Sequence, residues 1–245
     1  MMNPLTLDLS IYERFNFQSP PVGVKFLFER PEGIERLDTK VPFCGMIGEA
    51  HKRGTPFYVD VHNHACPPGT HVLGYDLPKA AEAGYLGPEF KVFKEPYANR
   101  RALEAAPTFV KGTVNYVAFA PLAHLAYTPD LFVILTDTTS QAEVLFRALS
   151  YTTGKVITSK MTIVLGCAWL YAYPYISGEV NYLTTGLGFG MKAKRVFPEG
   201  RQLISIPYDW LPAITQNLQE MTWVPPSYLG DDPDFEKKLF ARFGF

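Results

Sequence analysis

The sequence predicts an α+β (or α/β) protein. Its mixed sheets are expected from two divergent copies of one unit, strand–helix–strand–cysteine–segment–strand, within one compact body. Three observations carry that expectation. Short runs rich in β-branched and aromatic residues alternate with segments that read as helices stopped by glycine. Twelve positions separate Gly54 from Cys66, and thirteen separate Gly154 from Cys167. Each half then closes on an apolar strand that runs into proline, Pro121 in one and Pro207 in the other.

The first unit opens with Pro21-Val22-Gly23-Val24-Lys25-Phe26-Leu27-Phe28, a β-like run. A helix from Cys44 to about Arg53 follows and stops at Gly54, since glycine readily takes the left-handed cap conformation. Phe57 to Val61 reads as a strand and leads into His64-Ala65-Cys66-Pro67-Pro68-Gly69, where two prolines and a glycine force a corner. Leu77 to Lys111 offers interrupted helices, and Val114 to Ala120 the closing strand. The second unit starts with the strand Leu131-Phe132-Val133-Ile134-Leu135. A helix from Gln141 to about Tyr151 comes next, then a strand over Thr158 to Leu165 ahead of Cys167. Leu203 to Ile206 closes this unit, with a further helix over Pro207 to Met221.

Residues 1–245 are expected to form a single domain, with pseudo-repeat halves at about 20–125 and 128–221 and a C-terminal tail at 222–245. Cys66 and Cys167 then occupy equivalent corners, while Val144 stands where Cys44 would have its counterpart. Leu239, Phe240, Phe243 and Phe245 in the tail would cover either the core or a second subunit in a homodimer.

Composition narrows the classes of function. Hydrophobic residues make up 47% and charged residues 19%, so the chain can bury a sizeable core. A formal net charge of −1 gives no general pull toward nucleic acid or an anionic membrane. No apolar stretch approaches the eighteen or so residues of a membrane span. Residues Met1 to Ser10 lack a basic-then-apolar signal pattern, and three unpaired cysteines suit a reducing, cytoplasmic compartment. Serine-hydrolase elbows, zinc-protease helices and calcium loops are missing from the sequence.

Cys44, Cys66 and Cys167 are the residues best suited to chemistry. They are too widely spread for a disulfide framework. They either pack as inert buried thiols or meet in space as soft ligands for an iron–sulfur cluster, zinc or copper(I). Cys44 lies at an expected helix start, where backbone N–H groups favour a thiolate. His62 and His64 project to one face of an extended strand and, with Cys66, could hold zinc for a hydrolase or hydratase. The run Tyr171-Ala172-Tyr173-Pro174-Tyr175 follows Cys167 and could wall a pocket, or pack in the core. Gly186-Leu187-Gly188-Phe189-Gly190, followed by Lys192, Lys194 and Arg195, could offer backbone N–H groups and positive charge to an anion. Gly186, Gly188, Lys192, Arg195, Tyr173 and Tyr175 are thus expected to contact a small-molecule ligand. A protein that binds an anionic or aromatic molecule without redox chemistry would need only these.

An ordered set of motifs also resembles one family. Pro21-Val22-Gly23-Val24-Lys25-Phe26, Phe43-Cys44 with Glu49-Ala50, His64-Ala65-Cys66-Pro67-Pro68-Gly69 and Gly166-Cys167-Ala168 are similar to those of the prokaryotic "domain of unknown function 169". Ala172-Tyr173-Pro174-Tyr175, Gly178-Glu179 and Asn181 match as well, so the resemblance runs from about Pro21 to Leu218. Many members carry a fourth cysteine after the tyrosine-rich run, and Gly186 stands at that place in this chain. The resemblance implies a 4Fe-4S cluster on Cys44, Cys66 and Cys167 with one iron open to a small substrate, or a site that has lost its cluster. The reaction would be a lyase, desulfuration or redox step; the family assigns none.

Overall fold

Alternation along Val22-Gly23-Val24-Lys25-Phe26-Leu27 sends Val22, Val24 and Phe26 to one side of a strand and Gly23, Lys25 and Leu27 to the other. This strand, β1 (Val22–Leu27), lies near the middle of one mixed sheet. The computed structural model describes residues 2–230 and 232–244. Its other strands are β2 (Glu35–Arg36), β3 (Phe57–Val59), β4 (Tyr116–Pro121), β5 (Leu131–Leu135), β6 (Asn181–Thr184) and β7 (Gln202–Pro207). Their order is β2-β3-β4-β1-β5-β7-β6, antiparallel throughout except for the parallel pair β2–β3.

The helices are α1 (Met46–Arg53), α2 (Pro67–Val72), α3 (Lys79–Glu82), α4 (Leu86–Glu89), α5 (Pro96–Glu104), α6 (Thr139–Ser150), α7 (Tyr173–Ser177), α8 (Phe189–Ala193), α9 (Leu211–Glu220), α10 (Pro226–Leu229) and α11 (Phe235–Arg242). Two of the starts and stops follow directly from sequence chemistry. Gly54 caps α1 at φ 67°. At the head of α6, Thr138 accepts from the Gln141 N–H while the Gln141 side chain accepts from the Thr138 N–H.

Both faces of the sheet are covered. Val22, Val24, Phe57, Phe119, Leu131, Val133 and Leu203 meet α1 and the segment around Cys167 on one face. Tyr58, Ala118, Phe132, Ile134, Ile204 and Ile206 meet α6 and α9 on the other. Asn217 fastens that second layer, its amide donating to the Ala148 carbonyl across α6 and α9 at 2.8 Å.

The sheet has the strand order that two copies of a three-strand unit would give, with β1 and β5 paired at the centre, then β4 and β7, then β3 and β6. Pro121 and Pro207 each end their strand in an extended conformation before a short 3-10 turn. The helices do not follow this symmetry. Antiparallel neighbours are exchanged only by an axis perpendicular to the sheet, which keeps each side on its own face. Yet α1 packs on the face opposite α6.

The expected strand over Thr158 to Leu165 is also absent, for a reason in its polar residues. The Lys160 N–H and carbonyl bond to the Asn181 side chain, and the Ser159 hydroxyl bonds to the Tyr182 carbonyl. The segment therefore runs alongside β6 held by side chains and forms no ladder of its own, and Leu165 ends it at φ 56°. The third strand of that half is β6, which follows Cys167 where β3 precedes Cys66. Equivalence of the two cysteines in chain order fails on that point.

Between Gly74 and Lys111 the chain leaves the sheet, forms α3 to α5, and returns to where it left. The Phe109 N–H donates to the Val72 carbonyl at 2.8 Å, so the ends of this excursion are tied together. In the tail, Leu239, Phe240 and Phe243 are exposed to differing degrees, and Phe245 lies outside the described residues.

Candidate functional site

Each cysteine stands at the start of a helical segment on the same face of the sheet. Cys44 sits in a 3-10 turn, Phe43–Gly45, that leads into α1, with the Gly45 N–H donating to the Pro42 carbonyl at 2.7 Å. Cys66 is the extended residue just before α2, with Pro67 in the first helical position, where no N–H is needed. Cys167 immediately precedes a wide turn of helix, Ala168–Ala172, that continues into α7. Gly166 beside it lies against Met191. A Cβ there would lie 2.8 Å from Met191 Cε, so the chain passes directly over the Met191 side chain.

The structure brings the three thiols into one electrostatic neighbourhood. Burial pushes the Cys44 thiol up to about 12, with Cys66 adding to the effect and Lys194 opposing it. Cys167 is raised well above the ordinary thiol range by burial, then by Cys44 and Cys66. The helix-start expectation of a favoured Cys44 thiolate is thus corrected. Only 7% of Cys44 is exposed, and removal from water outweighs the nearby N–H groups. Cys66 is half-buried, and no disulfide joins any of the three.

Tyr171 is in the same electrostatic neighbourhood as Cys44 and Cys167. It is fully buried, its ring lies 4.5 Å from that of Phe43, and its hydroxyl donates to the Phe43 carbonyl at 3.3 Å. Burial holds its hydroxyl protonated well above the ordinary phenol range, followed by the effects of Cys44 and Cys167. The other tyrosines diverge. Tyr173 packs on Trp169 at 5.8 Å with the Lys160 ammonium over its ring. Tyr175 packs on Phe26 and Phe109 at 4.8 and 5.4 Å. Only Tyr171 of the run borders the thiols.

The glycine-rich segment reaches the cluster through α8. Met191 lies under Gly166, Val196 packs on Gly45, and the Lys194 charge is felt at Cys44. Gly186 is at φ 93° with its Cβ position 3.0 Å from Glu199 Cγ, so cysteine there would be strained. Gly188 caps the start of α8, and Lys192 pairs with Glu199 at 3.3 Å. Arg195 takes φ 51° in the turn that follows. The ring of Phe90, in the excursion, leans on Phe189 of α8 at 5.4 Å.

His64 is the residue whose surroundings sequence reasoning missed. It is 8% exposed, and neither ring nitrogen has a hydrogen-bond partner. Burial lowers its protonation to about 4, so the imidazole is neutral. His62, by contrast, is exposed on a 3-10 turn, Val61–Asn63, so the two rings do not share the one face that an extended strand would give them. Among the described residues, no group of three or more histidine, cysteine, aspartate or glutamate side chains is placed to hold a metal ion. The donors match soft-metal chemistry in type, and they are neighbours rather than a closed cage.

Two open clefts, of about 520 and 480 Å³, lie elsewhere. The first is bordered by Glu32 and Tyr127, the second by Phe146 and Tyr182, and neither includes a cysteine. Among the described residues no helix is long and apolar enough to cross a membrane.

The chain matches a known family model. The profile of DUF169, described as uncharacterised ArCR, covers residues 10–217. That span contains all three cysteines, His64 and the glycine-rich segment. No curated protein and no solved structure matches the chain.

Proposed function

The chain belongs to the DUF169 family, whose description names no reaction, and from its own residues we propose that Cys44, Cys66 and Cys167 hold a soft metal centre, in the first instance a 4Fe-4S cluster. The observation that carries this reading is the proximity of the three cysteines on one face of the sheet: burial raises the Cys44 and Cys167 thiols, Cys66 adds to both, and Cys44 adds to Cys167. A thiol pushed up to about 12 is a thiolate in only about one molecule in 10⁵ at neutral pH, which rules against a free nucleophilic Cys44. A bound soft cation supplies the charge that makes three adjacent thiolates tolerable in such a site. The cluster's open iron would act as a Lewis acid or electron carrier toward a small substrate, with Lys194 supplying positive charge at the rim. Unpaired thiols of this kind persist in a reducing compartment, which favours a cytoplasmic protein.

The test is anaerobic reconstitution with ferrous iron and sulfide, followed by metal and sulfide analysis. Bound iron and sulfide with broad visible absorbance, lost in Cys44→Ser and Cys167→Ser, is the expected result. Zinc bound without sulfide would replace the cluster by a thiolate zinc site. Protein that takes up neither would leave the thiols as packing and end the proposal.

A further inference from the structure

The tail after α9 is fastened to the body at its root and left bare beyond it. Trp223 packs on Phe15 at 4.4 Å with the Arg14 guanidinium over its ring, and its indole N–H donates to the Leu218 carbonyl at 2.8 Å. Arg147 of α6 donates to the Thr222 and Trp223 carbonyls at 2.7 and 2.5 Å, and the Tyr228 hydroxyl of α10 donates to Glu143 at 3.1 Å. Gly230 then caps α10 at φ 67°, and no residue of α10 or α11 is buried.

The exposed part is amphipathic. Phe235, Leu239 and Phe243 recur every four positions and so fall on one face of α11. Tyr228, Leu229 and Phe243 are each more than half exposed, and Leu239 is exposed as well. An aromatic side chain buries about 150–250 Å², so these residues leave on the order of several hundred Å² of apolar surface uncovered on a short segment. That equals the largest patch on a typical monomer, about 300–600 Å², which is often functional. Asp232, Asp234 and Glu236 balance Lys237, Lys238 and Arg242, so the segment has no net positive charge to draw it to an anionic membrane.

A receiving surface adjoins the root of the tail. Glu143 and Arg147, which hold the tail, also border the cleft of about 480 Å³ beside α6, together with Ala142, Phe146, Ile157 and Tyr182. The Phe146 and Tyr182 rings lie 4.8 Å apart and form an apolar wall. No residue of α10 or α11 borders this cleft. A two-fold contact uses the same patch on both chains, and this patch holds an apolar helix beside an apolar cleft. We infer that it is the contact between two copies of the chain, the apolar side of α11 of each seated in the α6 cleft of the other. Made twice, the contact buries tail and cleft surface on both chains. Four surfaces of several hundred Å² bring the total to the roughly 1,200–2,000 Å² of a stable interface.

The test is sedimentation equilibrium of the full chain at micromolar concentrations, with thiols kept reduced so that no disulfide links the copies. The unsubstituted chain should sediment as a dimer. Leu239→Glu/Phe243→Glu should raise the dissociation constant at least about 100-fold and leave the far-UV circular dichroism unchanged. Ile157→Arg should weaken association likewise from the receiving side. Mixing the two variants restores one of the two contacts, because the tail of one fits the cleft of the other. The mixture should therefore associate more tightly than either variant alone, which a folding defect would not produce. A monomeric unsubstituted chain, a dimer that survives either variant, or a mixture no tighter than its components overturns the inference. Binding of a monomer to phosphatidylserine vesicles would assign α11 to a lipid surface and overturn it as well.

Discussion

Asn181→Leu tests how Cys167 is positioned. Asn181 is 1% exposed in β6, and its side chain makes three bonds to the chain on either side of the cysteine. Oδ1 accepts from the Lys160 N–H at 2.9 Å, and Nδ2 donates to the carbonyls of Lys160 at 3.0 Å and Trp169 at 2.8 Å. Leucine has similar volume and can make none of these. Lys160 is exposed, so water can replace its two partners, at a loss of about 0.5–1 kcal/mol each. The Trp169 carbonyl is buried, and leaving it unpaired costs about 1–3 kcal/mol. The expected destabilisation is therefore about 2–5 kcal/mol, read as a lower urea midpoint at unchanged slope. Loosening of residues 160–169 should also expose the Cys167 thiol to Ellman's reagent before global unfolding. A change under about 0.5 kcal/mol, with Cys167 still protected, would refute the claim that this amide anchors the segment.

Other outcomes follow from the same geometry. His64 is neutral in the fold, with protonation lowered from 6.5 to about 4, so its contribution to stability is complete above pH 6.5 and is lost as pH falls toward 4. Urea titrations of the metal-free protein should lose about 3 kcal/mol more across that range than His64→Leu does, and parallel curves would contradict it. Cys44 has the opposite sign. Its stabilising effect is intact below the unfolded value of 9.0 and declines as pH rises toward about 12, so Cys44→Ala should flatten the alkaline limb of the same titration. In the native state one thiol, that of half-buried Cys66, should react quickly with Ellman's reagent, and Cys66→Ser should abolish the fast phase. Gly74→Ala and Gly112→Ala impose similar positive φ values, 89° and 81°, but only the first drives a Cβ to 2.5 Å from Lys111 N and Phe109 O. Gly112→Ala should cost about 1–2 kcal/mol and Gly74→Ala clearly more, and equal midpoints would show that the tie at Phe109 does not hold the excursion.

Local signals in the chain were reliable wherever one residue decides a local event. Gly54 stops α1, and the run Leu131–Leu135 is β5 residue for residue. They failed where the partner is distant. Thr158 to Leu165 has the composition of a strand, yet its backbone is occupied by a side chain twenty-one positions away, from Lys160 to Asn181. The strand that replaces it, β6, turns Asn181 and Leu183 inward, and a buried asparagine hides the usual alternation. The cysteines were identifiable as a set, and Pro67-Pro68 marked the helix that follows Cys66. Convergence of the thiols and the isolation of the His64 ring depend on segments far apart in the chain coming together, which spacing along the chain does not encode.

The strand order has a consequence for synthesis. β1 hydrogen-bonds on both edges to strands that come later in the chain, β4 and β5. Its first partner lies about ninety residues downstream, so a ribosome adding roughly 5–20 residues per second leaves Val22, Val24 and Phe26 unpaired for several seconds or more. During that interval both edges of the strand are open to any other extended chain. The strand most enclosed in the finished sheet is thus the one that waits longest on the nascent chain, and the cysteine layer built on it cannot form until β5 has emerged.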